Sequence, residues 1–276
     1  MTEHSHCAIF TDLDGTLLDH DTYSWAPAAP AIERIKKLGI PLIAISSKTL
    51  AELSHLNATD HLFDGLIGEN GGVIRLGNQT EQPGPATETI DAARDAIRAA
   101  LSIPVTSFRS TSPEIIAAQT GLSPDDAARA GLRHCSDPLI WAPMDKDVTI
   151  ARAIAETFGL KLVKGGRFHT LCGPTDKGAA MARMLELLAQ NGVLPSTGLT
   201  PCTIALGDSA NDATMLAAAD IAIQIPQKHA ITTTALIQDP KLIIAPEPGP
   251  SGWNAGVNSL LDQLTNTNNK SEVLHG

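Results

Sequence analysis

The chain has 276 residues, of which 43% are hydrophobic and 18% charged, and its formal net charge is −10. That length suits one large domain plus an insert, and that apolar content excludes a disordered chain. The negative balance argues against a nucleic-acid partner, and no apolar stretch approaches a membrane span.

Met1 to His6 shows no signal-peptide pattern, and His4 and His6 read as part of a frayed terminus. Aromatics make up only 3% of the chain, so Ala, Leu, Ile and Val are expected to build the core. Cys7, Cys135, Cys172 and Cys202 stand apart without a Cys-x-x-Cys pair and read as reduced thiols of a cytoplasmic protein. The first expected strand, 8–12, runs into Asp12-Leu13-Asp14-Gly15-Thr16. Residues i and i+2 of a strand point to the same side. Asp12 and Asp14 can therefore face one reaction centre, one attacking and the other moving protons. The alternative is an ordinary Asp-Gly turn.

A helix near 28–38 stopped by Gly39, a strand over 40–46, a helix over 49–56 and a strand over 65–68 follow. This alternation implies a parallel sheet with helices on both faces, binding ligands at the carboxyl ends of its strands. Ser46 ends the second strand, where its hydroxyl can reach a phosphoryl oxygen or serve as a helix cap. Gly77 to Pro85 reads as a polar linker.

Residues 86 to 171 then form an insert. It opens with a helix over 87–101, and Ser112-Pro113 and Ser123-Pro124 each read as an N-cap followed by Pro. A helix over 146–158 ends at Gly159. Residues 160–164 and 167–171 form a hairpin about a Gly165-Gly166 turn. In that register Lys164 faces Arg167, Leu162 faces His169, and Lys164, Arg167 and His169 share one face. Like charges placed opposite one another are unfavourable unless an anion sits between them; a solvated edge with protective charges is the alternative.

The β/α pattern resumes with a helix over 176–190, strands over 202–206, 221–225 and 241–245, a helix over 212–219 and a final helix over 253–265. The polar tail 265–270 is expected to be disordered. Lys177 sits at the head of the first of these helices and can bind an anion or simply be solvated. Gly207-Asp208-Ser209-Ala210-Asn211-Asp212 lies between a strand end and a helix start. Its oxygen-bearing side chains suit a hard cation such as Mg2+, whereas helix capping needs only one of them.

With those four motifs in order, the chain resembles the haloacid dehalogenase superfamily of phosphatases. A closer resemblance, to the mannosyl-3-phosphoglycerate phosphatase family, spans most of the chain. It rests on 10–19, 21–25, Ser47-Lys48-Thr49, Glu69-Asn70-Gly71-Gly72, Arg167-Phe168-His169 and Gly249-Pro250-Ser251-Gly252-Trp253-Asn254. Ser46 stands where that pattern has Thr, and Ala210 where it has Pro.

The resemblance implies an α/β fold, a Rossmann-like parallel sheet core with helices on both faces plus an inserted α+β cap. The core would be 1–84 and 172–276, the cap 85–171. Asp12 would be the nucleophile and Asp14 the acid and base. Ser46 and Lys177 would hold the phosphoryl oxygens. Mg2+ would be held by Asp12, the carbonyl of Asp14 and Asp208, with Asn211 and Asp212 in support. The implied substrate is a phosphorylated glycosyl glycerate, recognised by Lys48, Asn70, Lys164, Arg167 and His169. The protein would be a monomer or a homodimer.

Overall fold

A computed structural model describes residues 7–194, 201–229 and 232–273, with side chains described as far as residue 264. In chain order the elements are β1 (Cys7–Thr11), α1 (Ala29–Leu38), β2 (Leu42–Ile45), α2 (Leu50–Asp60), β3 (Gly65–Gly68), β4 (Val73–Leu76), β5 (Gln79–Glu81), α3 (Thr87–Ala100), β6 (Thr106–Ser107), α4 (Pro113–Thr120), α5 (Pro124–Gly131), β7 (Ser136–Ile140), α6 (Asp145–Thr157), β8 (Lys161–Gly165), β9 (Phe168–Cys172), α7 (Lys177–Gln190), β10 (Cys202–Gly207), α8 (Ala213–Ala218), β11 (Ile221–Gln224), β12 (Leu242–Ile244) and α9 (Gly249–Val273). They fall into two compact units. The first takes in Met1–Ile45, His61–Gly65 and Lys177–Gly276, as far as these are described, and the second Ser46–Asp60 and Leu66–Asp176. The expected insert, 85–171, lies wholly within the second unit, which also takes in α2 and the β4–β5 hairpin. Among the described residues no helix is long and apolar enough to cross a membrane.

In the first unit five parallel strands run in the order β12-β11-β10-β1-β2. β1 is central and every one of its residues is buried, as a strand covered on both faces requires. Thr11 faces α9: the Trp253 indole N–H donates to its hydroxyl at 3.0 Å, and that hydroxyl donates to the Asp12 carbonyl at 2.7 Å. Phe10 points the opposite way and lies in register with Ile43. Gly65 lies against both Ile43 and Met184 of α7, so that a side chain there would collide with them. α9 and α7 therefore cover opposite faces. α1 is tied to α9 by Arg34, which reaches Asp262 at 2.8 Å and Asn258 at 2.7 Å, and by Asn254, which accepts from the Ala31 N–H. His4 and His6 lie outside the described residues.

In the second unit four strands run in the order β6-β7-β9-β8. Neighbours in this sheet are antiparallel. Leu139, Leu162 and Leu171 on one face pack against Ile90, Ala93 and Ile97 of α3 and Ala151 and Ala155 of α6. Phe108, Ile116, Ala127 and Ala130 make a second cluster under α4 and α5. Ser123 caps α5 as expected, accepting from the Asp126 N–H at 3.1 Å, whereas the Ser112 side chain does not cap α4.

Several expectations need correction. Residues 77–85 are not a plain linker, because β5 pairs back on β4 with Leu76 opposite Gln79. β7 was not anticipated, since it contains Pro138. Pro138 lies just past the end of β6, where a missing N–H breaks no ladder bond. α9 starts at Gly249 and continues to Val273, so residues 265–270 are helical. Extending an established helix costs little even for polar residues.

Trp253 is fully buried against β1, the strand that leads into Asp12. Trp253→Ala is expected to cost about 3–5 kcal/mol of stability, read as a lower urea midpoint at unchanged slope.

Candidate active site

Six of the residues singled out from the sequence gather in the first unit. β1 ends at Thr11, so Asp12 and Asp14 lie just beyond it, in a loop rather than on the strand. The loop is closed by backbone hydrogen bonds from Leu18 to Leu13 at 2.8 Å and from Gly15 to Leu18 at 3.0 Å. Gly15 has φ +81°, and a Cβ there would stand 3.0 Å from an oxygen of Asp208. Only glycine permits both that turn and that approach. β10 runs beside β1 in parallel, with Thr11 level with Leu206, so the Asp208 loop leaves the sheet at the same end. Gly207 plays a similar part, since a Cβ there would overlap Asp212 at 2.4 Å.

Lys177 opens α7 and is buried. Its ammonium donates to Asp12 and to Asp212, both at 2.6 Å. The second oxygen of Asp212 accepts from the backbone N–H groups of Asp208 at 3.0 Å and Ser209 at 2.9 Å. Asp212 thus caps the loop, as the second reading of 207–212 has it, and also holds Lys177. Asn211 is exposed and accepts from the Ser209 hydroxyl. Thr16 donates to Asp208 at 3.3 Å, and Gln227 hydrogen-bonds to it as well.

Oxygens of Asp12, Asp208 and Asp212 all lie within 4.8 Å of one another. Three carboxylates against one ammonium leave an excess of negative charge in a largely buried place. An all-oxygen donor set with that excess fits Mg2+. The proton equilibria carry the same strain. Burial pushes the Asp12 carboxyl up to about 8, with Lys177 pulling against it and Asp212 adding to it. Burial, helped by Asp212, raises Asp208 to about 6. Burial disfavours the charge of Lys177, but Asp12 and Asp212 outweigh it and hold the ammonium well above the ordinary lysine range.

The other predicted residues belong to the second unit. Ser46 directly follows β2 in the chain. Its N–H donates to the Ile67 carbonyl, its carbonyl accepts from the Asn70 N–H, and its hydroxyl accepts from the Lys48 N–H at 3.3 Å. Ser46, Lys48 and Asn70 therefore share one loop cluster. Glu69 and Asn70 both hold left-handed backbones, secured by the buried Glu69 carboxylate. That carboxylate accepts from the N–H groups of His134 and Cys135 and the hydroxyl of Ser136. The sequence had marked this motif but not the role of Glu69.

The β8–β9 hairpin departs from the expected register. Lys164 lies opposite His169, Leu162 opposite Leu171, and Gly166-Arg167 forms the turn. Setting the two leucines opposite one another buries both against α3 and α6, and burial of one face fixes register. Lys164 and His169 share that face, with the His169 ring edge-on to Trp141 at 5.5 Å. Arg167 leaves it and donates to the carbonyls of Gln119 and Thr120 at the end of α4, where a cation meets the negative end of the helix.

The residues missed from the sequence were Thr16, Gln227 and Glu69. Thr16 lies inside the first motif and could have been found there. Gln227 sits in a loop after β11 that carries no pattern.

A family model for haloacid dehalogenase-like hydrolases matches residues 9–99. A protein from Persephonella marina described as a glucosyl-3-phosphoglycerate/mannosyl-3-phosphoglycerate phosphatase is 33% identical, over 93% of this chain and 97% of its own length. Among solved structures, one from Thermoplasma acidophilum aligns with a TM-score of 0.64 at 17% identity, covering 94% of this chain and 98% of that one. A protein from Bacteroides thetaiotaomicron, studied among phosphatases of the haloalkanoate (HAD) enzyme superfamily, aligns at 0.65 and 17% identity, covering 95% and 96%. At such identities the structural likenesses establish the fold.

Two outcomes follow for stability. Lys177→Met strands two buried carboxylates and should cost about 3–5 kcal/mol, measured by chemical denaturation. Asp208, raised from 3.8 to about 6 in the fold, favours folding when protonated. That contribution is full below its ordinary value and is lost as pH rises through about 6. Asp208→Asn should therefore stabilise the metal-free protein at pH 8, by up to about 3 kcal/mol, and should do nothing at pH 3.

Proposed function

We propose that this chain, which belongs to the haloacid dehalogenase-like hydrolases, is a Mg2+-dependent phosphomonoesterase that converts mannosyl-3-phosphoglycerate to mannosylglycerate and phosphate. Glucosyl-3-phosphoglycerate is the nearest alternative, and the Persephonella marina relative is named for both. The observation that carries the reading is the buried Lys177 bridging Asp12 and Asp212 with Asp208 alongside. A structural ion pair has no need of the third carboxylate or of Asp14 two residues on.

Asp12 attacks phosphorus, forming an aspartyl-phosphate as the ester P–O bond breaks. Asp14 gives its proton to the departing oxygen. It then takes a proton from the water that attacks the phosphorus of the aspartyl-phosphate, and phosphate and the Asp12 carboxylate are released. Lys177 supplies fixed positive charge to the transferring oxygens, and Ser46 is assigned a hydrogen bond to one of them. Asp12, the Asp14 carbonyl and Asp208, with Asn211 and Asp212 in support, would hold Mg2+, which would supply positive charge between the anionic nucleophile and the anionic phosphoryl group.

The division into a catalytic core, 1–84 and 172–276, and a cap, 85–171, belongs to the same proposal. Lys48, Asn70, Lys164, Arg167 and His169 are assigned to substrate recognition. For Arg167 this means exchanging the Gln119 and Thr120 carbonyls for the ligand. A small-molecule substrate and a cytoplasmic setting complete the reading.

Phosphate release on a panel of glycosyl phosphoglycerates and sugar phosphates tests it. Asp12→Asn should lower kcat by at least about a thousandfold while thermal unfolding stays cooperative; residual activity within tenfold of the parent would refute the nucleophile. EDTA should abolish turnover and Mg2+ restore it, and full activity after exhaustive chelation would refute the metal site.

A further inference from the structure

A cavity of about 400 Å3 opens beside the carboxylate cluster of the first unit. Gly15 and Asp208 form its wall toward the cluster, and Asp19, His20, Gln227, Lys228, His229 and the Pro248-Gly249 segment line the rest. Its size falls within the range of small-molecule sites, roughly 300–1,000 Å3. Neither its volume nor its residues after Asp208 enter the chemistry above.

The lining is held in place by the loop that follows the nucleophile. The Asp19 carboxylate accepts from the N–H groups of Asp21 and Thr22 and from the Thr22 hydroxyl. Lys228 reaches across to Asp21 at 2.6 Å and to Asp19 at 3.6 Å. His20 and His229 stand edge to face with ring centres 6.3 Å apart. Two chain segments far apart in sequence are thereby fastened together around the space.

The chemistry of the lining narrows the ligand. Lys228 is the one cation there and is already neutralised by two carboxylates, and Asp208 adds further negative charge. A second anionic group would find little compensation. Imidazoles both donate and accept hydrogen bonds, and amides do likewise, which is what hydroxyl groups require. Pro248 also lines the space, an apolar contact that the carbon face of a sugar ring can use.

We infer that this cavity is a subsite for the hydroxyl-rich, glycosyl portion of a phosphomonoester, and that His20 and His229 are specificity-determining residues. The inference rests on the phosphatase reading: a phosphoryl group placed at Asp12 and Asp208 would carry its ester substituent past the wall that Gly15 and Asp208 form.

The test compares three kinds of ester on parent and on His20→Ala/His229→Ala: glycosyl phosphoglycerates and hexose phosphates, then 3-phosphoglycerate, then p-nitrophenyl phosphate. The double variant should raise KM for the hydroxyl-rich esters by about tenfold or more. For the other two it should stay within about twofold, with kcat little changed throughout. Calorimetric binding of mannosylglycerate and glucosylglycerate should weaken in parallel, a readout independent of turnover. Unchanged KM for every ester would overturn the subsite, and so would an equal loss on all three kinds, because the histidines would then serve the loop alone. A parent that cleaves p-nitrophenyl phosphate and hexose phosphates but no glycosyl phosphoglycerate would refute the substrate proposed above and leave the hexose phosphates to decide the cavity. A parent that cleaves no hydroxyl-rich ester would overturn both.

Discussion

One buried cation organises this protein. Lys177 has been taken out of water and set between two carboxylates at 2.6 Å each. Desolvating such a group costs several kcal/mol, and only close, well-directed partners recover it. Those partners come from two places, the end of β1 and the loop after β10, and meet Lys177 at the first turn of α7. The parallel pairing of β1 with β10 puts both at the same end of the sheet. Gly15 and Gly207 let the loops approach, and Trp253 anchors β1 from the other side through Thr11. Asp208 completes the cluster without a cation of its own, which is why the arrangement suits an added divalent ion.

Much of this was legible in the sequence. β1, β2, β10 and β11 are short, nearly continuous apolar runs, and parallel strands buried on both faces look like that. Residues 12–16 and 207–212 identified themselves because acidic groups stood where apolar runs stop. Other features were hidden for specific reasons. β7 contains Pro138, which marks most sequences as non-strand. The β4–β5 hairpin is short and its second strand polar, so nothing separated it from a linker. The β8–β9 register turned on whether Gly165 belonged to the turn or to the strand, and glycine spacing does not say. The burial of Leu162 against Leu171 decides it. Hydrogen bonds between distant loops, such as that of Gln227 with Asp208, leave no local pattern at all.

The hairpin register alters how charge is distributed in the second unit. Arg167, expected beside Lys164, instead neutralises the carbonyl end of α4, and Lys164 is left opposite His169. Burial and the neighbouring Lys164 and Arg152 depress the His169 imidazolium, so the ring is held toward its neutral form. Positive charge on this unit is therefore more dispersed than the sequence suggested. In a chain of net charge −10, the proposed recognition of a glycosyl substrate would then lean on hydrogen bonding to its hydroxyls as well as on fixed cations.

If Asp12 is the nucleophile, it carries the phosphoryl group during turnover. Asp14→Asn keeps the nucleophile but loses both the acid of the first step and the base of the second, so with p-nitrophenyl phosphate, whose leaving group departs without a proton, it should accumulate the covalent species. Acid quench after mixing this variant with substrate and Mg2+, followed by peptide mass spectrometry, reads it directly. A phosphate adduct, labile to hydroxylamine, is expected on the peptide containing Asp12, and none when Asp12→Asn is added. An adduct on another residue would contradict it. So would continued turnover by Asp14→Asn with no adduct at any time.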